Sequence, residues 1–290
     1  MPAGGLAQTP LTEIRLPTAR GELAALRGGT AGGPRLLCLH GWLDNAASFL
    51  PLAPHLSGFD LIALDLPGHG ASDHRAPGYD YAFVDWVHDV LDALDALGWD
   101  RADLLGHSMG GAIASSLAAA APERVRRVVL VEALGPVSGD PAQAGERLRN
   151  AVAARRALAP RPDRVIPDIE AAVALRLAAT RMTPEAARLI VERNLRRADG
   201  GFAWRSDPRL TLPSSLRLAE ETVHAMLRAI EAPVLVVAAE PSPPFFPEAI
   251  RDARLACLAD GRVVTFAGGH HLHMEQAPAV ATPILDFLRG

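Results

Sequence analysis

The chain has 290 residues, enough for one large domain carrying an insertion or for two small ones, and it can bury most of the apolar surface its unfolded state exposes. At 49% hydrophobic and 21% charged it has the composition of a soluble globular protein, which argues against disorder and low complexity. A formal net charge of −4 gives no sign of a nucleic-acid binder, and the complete lack of lysine excludes Schiff-base chemistry on that residue.

Cys38 and Cys257 lie far apart in apolar segments, so two buried free thiols are expected rather than a disulfide, in a reducing compartment. No C-x-x-C or similar spacing points to a metal. The N-terminal "MPAGGLAQTPLTEIR" lacks a basic segment followed by an apolar one, and no run approaches the roughly 18 apolar residues of a membrane span. The expectation is a cytoplasmic protein with no membrane insertion.

In chain order, "RLLCLHG" (35–41) and "DLIALDLPG" (60–68) read as buried strands. "YAFVDWVHDVLDALDALG" (81–98) places Phe83, Val84, Val87, Leu91, Leu94 and Leu97 on one helical face. "RADLLGHS" (101–108) is the next strand, "MGGAIASSLAAAAP" (109–122) a small-residue helix stopped by Pro122, and "VRRVVLVEA" (125–133) another strand. "APVLVVAAE" (232–240) and "GRVVTFAGG" (261–269) complete the set. Near-continuous apolar strands alternating with helices predict a mostly parallel central sheet flanked by helices, with ligands beyond the carboxyl ends of the strands.

The alternation stops between 137 and 230. There, 16 arginines stand against 11 acids, and "AGERLRNAVAARRAL", "IPDIEAAVALRLAAT" and "TPEAARLIVERNLRR" read as helices with no strand between them. Thr183 and Pro184 make a good helix start. This predicts a helical cap at 137–230 inserted between two parts of one core, 1–136 and 231–290.

"GHSMG" (106–110) matches G-x-S-x-G between a strand and a small-residue helix, the setting of a nucleophile elbow. Gly106 and Gly110 remove side chains that would collide in so sharp a turn, and Ser108 is displayed at a helix N-terminus, where developing negative charge is favoured. The turn at His40-Gly41 supplies the other half of an oxyanion hole, so the backbone N–H groups of Trp42 and Met109 are the expected donors. His40 reads as a brace for that turn. Asp65 and His69 in "DLPGHGASD" read as a shaping loop.

With "LHGW", "DLPGHGASD", "GHSMGG" and a late histidine followed by a helix in this order, the chain resembles the α/β-hydrolase superfamily over its whole length. "HGWLDNAASF", "VEALGP", "WRSDPRL" and "GGHHLHME" resemble its serine hydrolase-like branch of esterase relatives. The resemblance implies a general base in "GGHHLHMEQAP". The usual Gly-His form, with His273 and Glu275 following, favours His270; counting back seven from Pro278 selects His271. It also implies an Asp after the strand at 232–240, but "AAEPSPPF" sets Ser242 there, and a serine cannot carry the counter-charge. A second position known in the superfamily, at the end of the strand over 125–133, falls on Glu132, with Glu240 as its rival. Phe202 and Trp204 on the cap, with Trp42, are candidate pocket walls or ordinary core.

These readings together predict a cofactor-free, metal-free serine hydrolase acting on a small-molecule carboxylic ester through an acyl-enzyme. A thioesterase, a carbon-carbon bond hydrolase with the same triad and a non-catalytic binding protein of this fold are the alternatives.

Overall fold

The computed structural model describes residues 11–158 and 164–290, and the reading of a leader-free N-terminus rests mainly on residues 1–10, outside them. The strands are β1 (Thr12–Thr18), β2 (Gly21–Gly29), β3 (Arg35–Leu39), β4 (Asp60–Leu64), β5 (Ala102–His107), β6 (Val125–Val131), β7 (Leu195–Ala198), β8 (Gly201–Trp204), β9 (Val234–Glu240) and β10 (Gly261–Ala267). The helices are α1 (Phe83–Ala96), α2 (Met109–Ala120), α3 (Ala144–Ala157), α4 (Ile169–Ala179), α5 (Pro184–Asn194), α6 (Glu220–Leu227), α7 (Glu248–Leu255), α8 (Leu272–Glu275) and α9 (Ala277–Arg289).

Eight strands form one sheet in the order β1-β2-β4-β3-β5-β6-β9-β10. From β4 to β10 every pairing is parallel; β1 and β2 add an antiparallel edge. Successive side chains of a strand point to opposite faces, and both faces here are covered. Leu37 and Leu39 of β3 and Val234 and Val236 of β9 pack with Val90 of α1, Ile113 of α2 and Leu227 of α6. Their neighbours Leu36, Cys38, Leu235 and Val237 pack with Val280 and Ile284 of α9 on the other face. This double burial is why the strands read as unbroken apolar runs.

The β1–β2 hairpin went unread in the sequence, although Ile14 and Leu16 alternate with exposed Glu13 and Arg15 before the turn at Gly21, where φ is +130°. Cys38 is buried and free as expected; Cys257 is also free but only half-buried.

Between β6 and β9 the chain leaves the sheet. Helices α3, α4 and α5 lie where expected, and Thr183 caps α5 by accepting the Ala186 N–H at 3.3 Å. The expectation of helices alone fails after Asn194: Leu195–Ala198 and Gly201–Trp204 pair as a two-stranded antiparallel hairpin. Gly200 and Gly201 provide its positive-φ turn, a stronger local signal than the weak helical period of "NLRR". Contacts across to the core hold the inserted segment in place. Asn45 Nδ2 donates to Ile190 O at 2.8 Å, Trp42 Nε1 donates to Leu210 O at 2.9 Å, and Arg193 pairs with the fully buried Asp65 at 2.7 Å. Among the described residues no helix is long and apolar enough to cross a membrane.

Candidate active site

The carboxyl ends of β3, β5, β6, β9 and β10 carry the residues that the sequence singles out. Ser108 follows β5 directly at φ 51°, ψ −114°, a backbone conformation that costs an L-residue of order 1–3 kcal/mol. Its N–H donates to Val131 O at 2.9 Å, which pins the turn against the end of β6. A Cβ on Gly106 would lie 2.5 Å from Gly110 O, and one on Gly110 would lie 2.0 Å from Leu39 O. Both glycines are required by close approach, not by positive φ. Met109 opens α2, where first-turn N–H groups have no partner within the helix.

Glu132, one residue beyond β6, is likewise strained at φ 57°, as is Leu43 in the loop after β3 at φ 58°. Its N–H donates to Val237 O at 2.9 Å, and its carboxylate is fully buried. A buried carboxylate needs partners. Oε1 accepts the Ala239 N–H, and Oε2 lies 3.4 Å from His270 Nδ1. His270 keeps partial access to solvent, with 23% of its side chain exposed. Burial lowers its pKa from the ordinary 6.5, and the Glu132 carboxylate opposes that shift. The half-exposed Phe245 ring stands nearly perpendicular to the imidazole, with centroids 5.0 Å apart.

His271, the other candidate base, points elsewhere. It is 2% exposed, and its Nε2 lies 3.4 Å from Asp44 Oδ2. The two adjacent imidazoles therefore face different carboxylates. Glu240, the rival acid, ends β9 exposed to solvent; its backbone carbonyl accepts the Gly268 N–H at 3.1 Å. Ser242 stands half-buried two residues on.

His40 donates from Nδ1 to Gly41 O at 2.7 Å and accepts the Leu66 N–H at Nε2, bracing the turn before Trp42. Burial holds its pKa down to about 4, and that of His69 to about 3. Asp65 accepts the N–H groups of Ala46 and Ala71, so its loop is shaped by it. Phe202 and Trp204, both partly buried, pack on Ile166, Val173, Val191 and Leu195 inside the inserted segment, the core alternative of the sequence reading. Trp42 differs, with 52% of its surface exposed. A cleft of about 510 Å³ is lined by residues 177–182 and Pro184 and includes none of the candidate catalytic residues.

Sequence reading missed a buried polar cluster beneath the elbow. Asp44, His107, His271 and His273 are all 2% exposed or less, and Arg176 from α4 pairs with the Asp44 carboxylate. Burial by itself would raise the Asp44 carboxyl, but the His107 and His271 rings and the Arg176 guanidinium hold it well below the usual carboxylate range. His107 is the first variable residue of G-x-S-x-G; nothing in that motif signals its partners.

A family model described as the alpha/beta hydrolase fold matches residues 34–277. A serine hydrolase-like protein from Danio rerio is 32% identical over 96% of this chain and 88% of its own length. The chain belongs to the α/β-hydrolase superfamily, in its serine hydrolase-like branch. Among solved structures, the hypothetical protein PA1622 of Pseudomonas aeruginosa PAO1 is similar to this hydrolase-fold chain at 40% identity and TM-score 0.89, covering 96% of this chain and 99% of that one. The esterase Rv0045c from Mycobacterium tuberculosis is similar at 25% identity and TM-score 0.73, covering 99% and 94%.

Proposed function

We propose that this protein is a cofactor-independent serine hydrolase that cleaves a small-molecule carboxylic ester through an acyl-enzyme. The observation that carries the reading is the buried Glu132 carboxylate 3.4 Å from His270 Nδ1, with Ser108 on a strained elbow at the same edge of the sheet. Such a separation is long for a charge-assisted hydrogen bond, and catalytic hydrogen bonds commonly tighten only when substrate binds.

In this reading Glu132 keeps the proton of His270 on Nδ1, which leaves Nε2 as the base. Ser108 Oγ attacks the ester carbonyl carbon and its proton passes to Nε2. The oxyanion is held by the N–H groups of Trp42 and Met109. Collapse of the tetrahedral intermediate expels the alcohol, which takes the proton from His270; water, activated by the same imidazole, then releases the acid. The same steps hydrolyse a thioester, and the choice between them belongs to substrate screening. The inserted segment at 137–230 is proposed as the cap over this site.

Treatment with a fluorophosphonate probe is the direct test. Labelling on Ser108, mapped by mass spectrometry and lost in Ser108→Ala, is expected; a folded protein that resists labelling would overturn the reading. p-Nitrophenyl esters of graded acyl length then define the substrate class.

A further inference from the structure

Three segments far apart in sequence meet beneath the elbow: the loop after β3 brings Asp44, the end of β5 brings His107, and the turn after β10 brings His271. Asp44 Oδ2, His107 Nδ1 and His271 Nε2 lie within 4.8 Å of one another. The carboxylate oxygen is 3.4 Å from each nitrogen. Ligand bonds of about 2.0–2.1 Å at tetrahedral angles set donor atoms roughly 3.3–3.4 Å apart, so two edges of the triangle already have the length a tetrahedral zinc site requires.

Hydrogen bonds fix the donor atoms of His107 and Asp44, while His271 Nδ1 is itself buried without a partner. His107 Nε2 donates to the His270 carbonyl at 2.8 Å, so in the neutral ring Nδ1 carries a lone pair. Asp44 Oδ1 is taken by Arg176, which leaves Oδ2. Neither Asp44 Oδ2 nor His107 Nδ1 has a hydrogen-bond partner, although both are buried. Two electron-rich atoms thus face each other in a low-dielectric setting, an arrangement that a cation between them resolves. A ligating histidine that gives its other N–H to a backbone carbonyl is the usual outer-shell pattern of metal sites. At Gly41 a Cβ would lie 2.9 Å from both Asp44 Oδ2 and His107 Nδ1, so the glycine keeps the space beside these donors open.

We propose that Asp44, His107 and His271 form a binding site for one borderline transition-metal ion, zinc by ligand type, which ties the oxyanion loop, the elbow and the His270 loop together. Two imidazoles and a single carboxylate suit zinc, cobalt, nickel or copper and are too poor in oxygen for magnesium or calcium. Three protein donors leave a fourth tetrahedral position to water. The dispersed positions 44, 107 and 271 explain why no ligand spacing is visible in the sequence.

The test uses the full-length protein, stripped with a chelator and then titrated with zinc chloride. Metal content after gel filtration is expected at one equivalent per chain, with a rise in Tm. Asp44→Asn and His271→Asn should each weaken binding at least tenfold, while His88→Asn, at an exposed histidine, should leave it unchanged. Because a core variant can fail to fold, cobalt loading of the unaltered protein gives a second measurement: intense visible absorption of a tetrahedral centre, displaced by one equivalent of zinc, is expected. Retention of no zinc, equal retention by the three variants, or only the weak spectrum of octahedral cobalt would overturn the proposal.

Discussion

Glu132 Oε2 and His270 Nδ1 come within 3.4 Å although 138 residues separate them in sequence. The contact arises because β6 and β10 both flank β9 in the sheet, so the residues leaving their carboxyl ends share one edge. Replacing Glu132 by Gln keeps the shape but removes the charge that fixes the imidazole tautomer. On the proposed mechanism kcat should fall by about 10⁴, the scale on which a triad loses rate when its carboxylate is neutralised. Glu240→Gln should leave turnover unchanged. Steady-state kinetics of the two variants on one p-nitrophenyl ester separates them, and a reversed pattern would return Glu240 to the triad.

The pH profile follows from the same pair. Burial lowers the pKa of His270 below 6.5, and the base must be neutral to accept a proton. The acid limb of kcat/KM should therefore have its midpoint below the ordinary histidine value, with activity rising as pH increases through it. Glu132 acts in the opposite direction, favouring the imidazolium. Glu132→Gln should thus move the acid limb to still lower pH while reducing the plateau; an upward displacement would contradict the assignment.

Ser108 is held at φ 51°, where glycine is at ease and other residues are strained. Ser108→Gly should gain about 1 kcal/mol over Ser108→Ala, after the larger entropy of the unfolded glycine chain offsets part of the relief. Both variants lack the nucleophile, so the comparison isolates the backbone. Urea unfolding curves measure it, and equal midpoints would show that the elbow stores no strain.

Asp65 is fully buried and serves three donors: the N–H groups of Ala46 and Ala71 and the Arg193 guanidinium from the inserted segment. Asp65→Ala leaves all three without that acceptor and should destabilise the fold by about 3–5 kcal/mol. Arg193 retains Glu13 at 2.9 Å, which keeps the effect from being larger. A urea midpoint within experimental error of the unaltered protein would refute this role.

Acid stability should be set by buried histidines. His40 is lowered from 6.5 to about 4 and His69 to about 3 by burial, so below pH 6.5 the unfolded chain takes up protons that the folded chain refuses. Their contribution is complete above that pH and is lost as pH falls toward the folded values; for His40 it amounts to ~3 kcal/mol. Thermal melts between pH 7 and 4 should show Tm falling steadily. Replacing His40 by Asn, which retains a donor and an acceptor, should flatten part of that slope.

Local pattern exposed much of this protein. Apolar runs buried on both faces showed β3, β4, β5, β6, β9 and β10, and the period of Val87, Leu91 and Leu94 showed α1. The β7–β8 hairpin was missed because its four-residue, half-exposed strands carry a weak alternation that the preceding helical residues mask. "NLRR" continues the helical count of α5, and only Gly200 and Gly201 turn it back.

The sequence by itself determined the sheet-and-helix alternation, the strained serine between two obligatory glycines, and the lack of an Asp at position 242, since each depends on residues adjacent in the chain. Tertiary structure alone decided which imidazole faces which carboxylate. His270 and His271 are neighbours, yet the turn after β10 sends one ring to Glu132 and the other to Asp44. The convergence of Asp44, His107 and His271 likewise has no local trace. Strand order and the ends of β3, β5, β6 and β10 set those distances, and side chains brought together from separate strands leave no period along the chain to read.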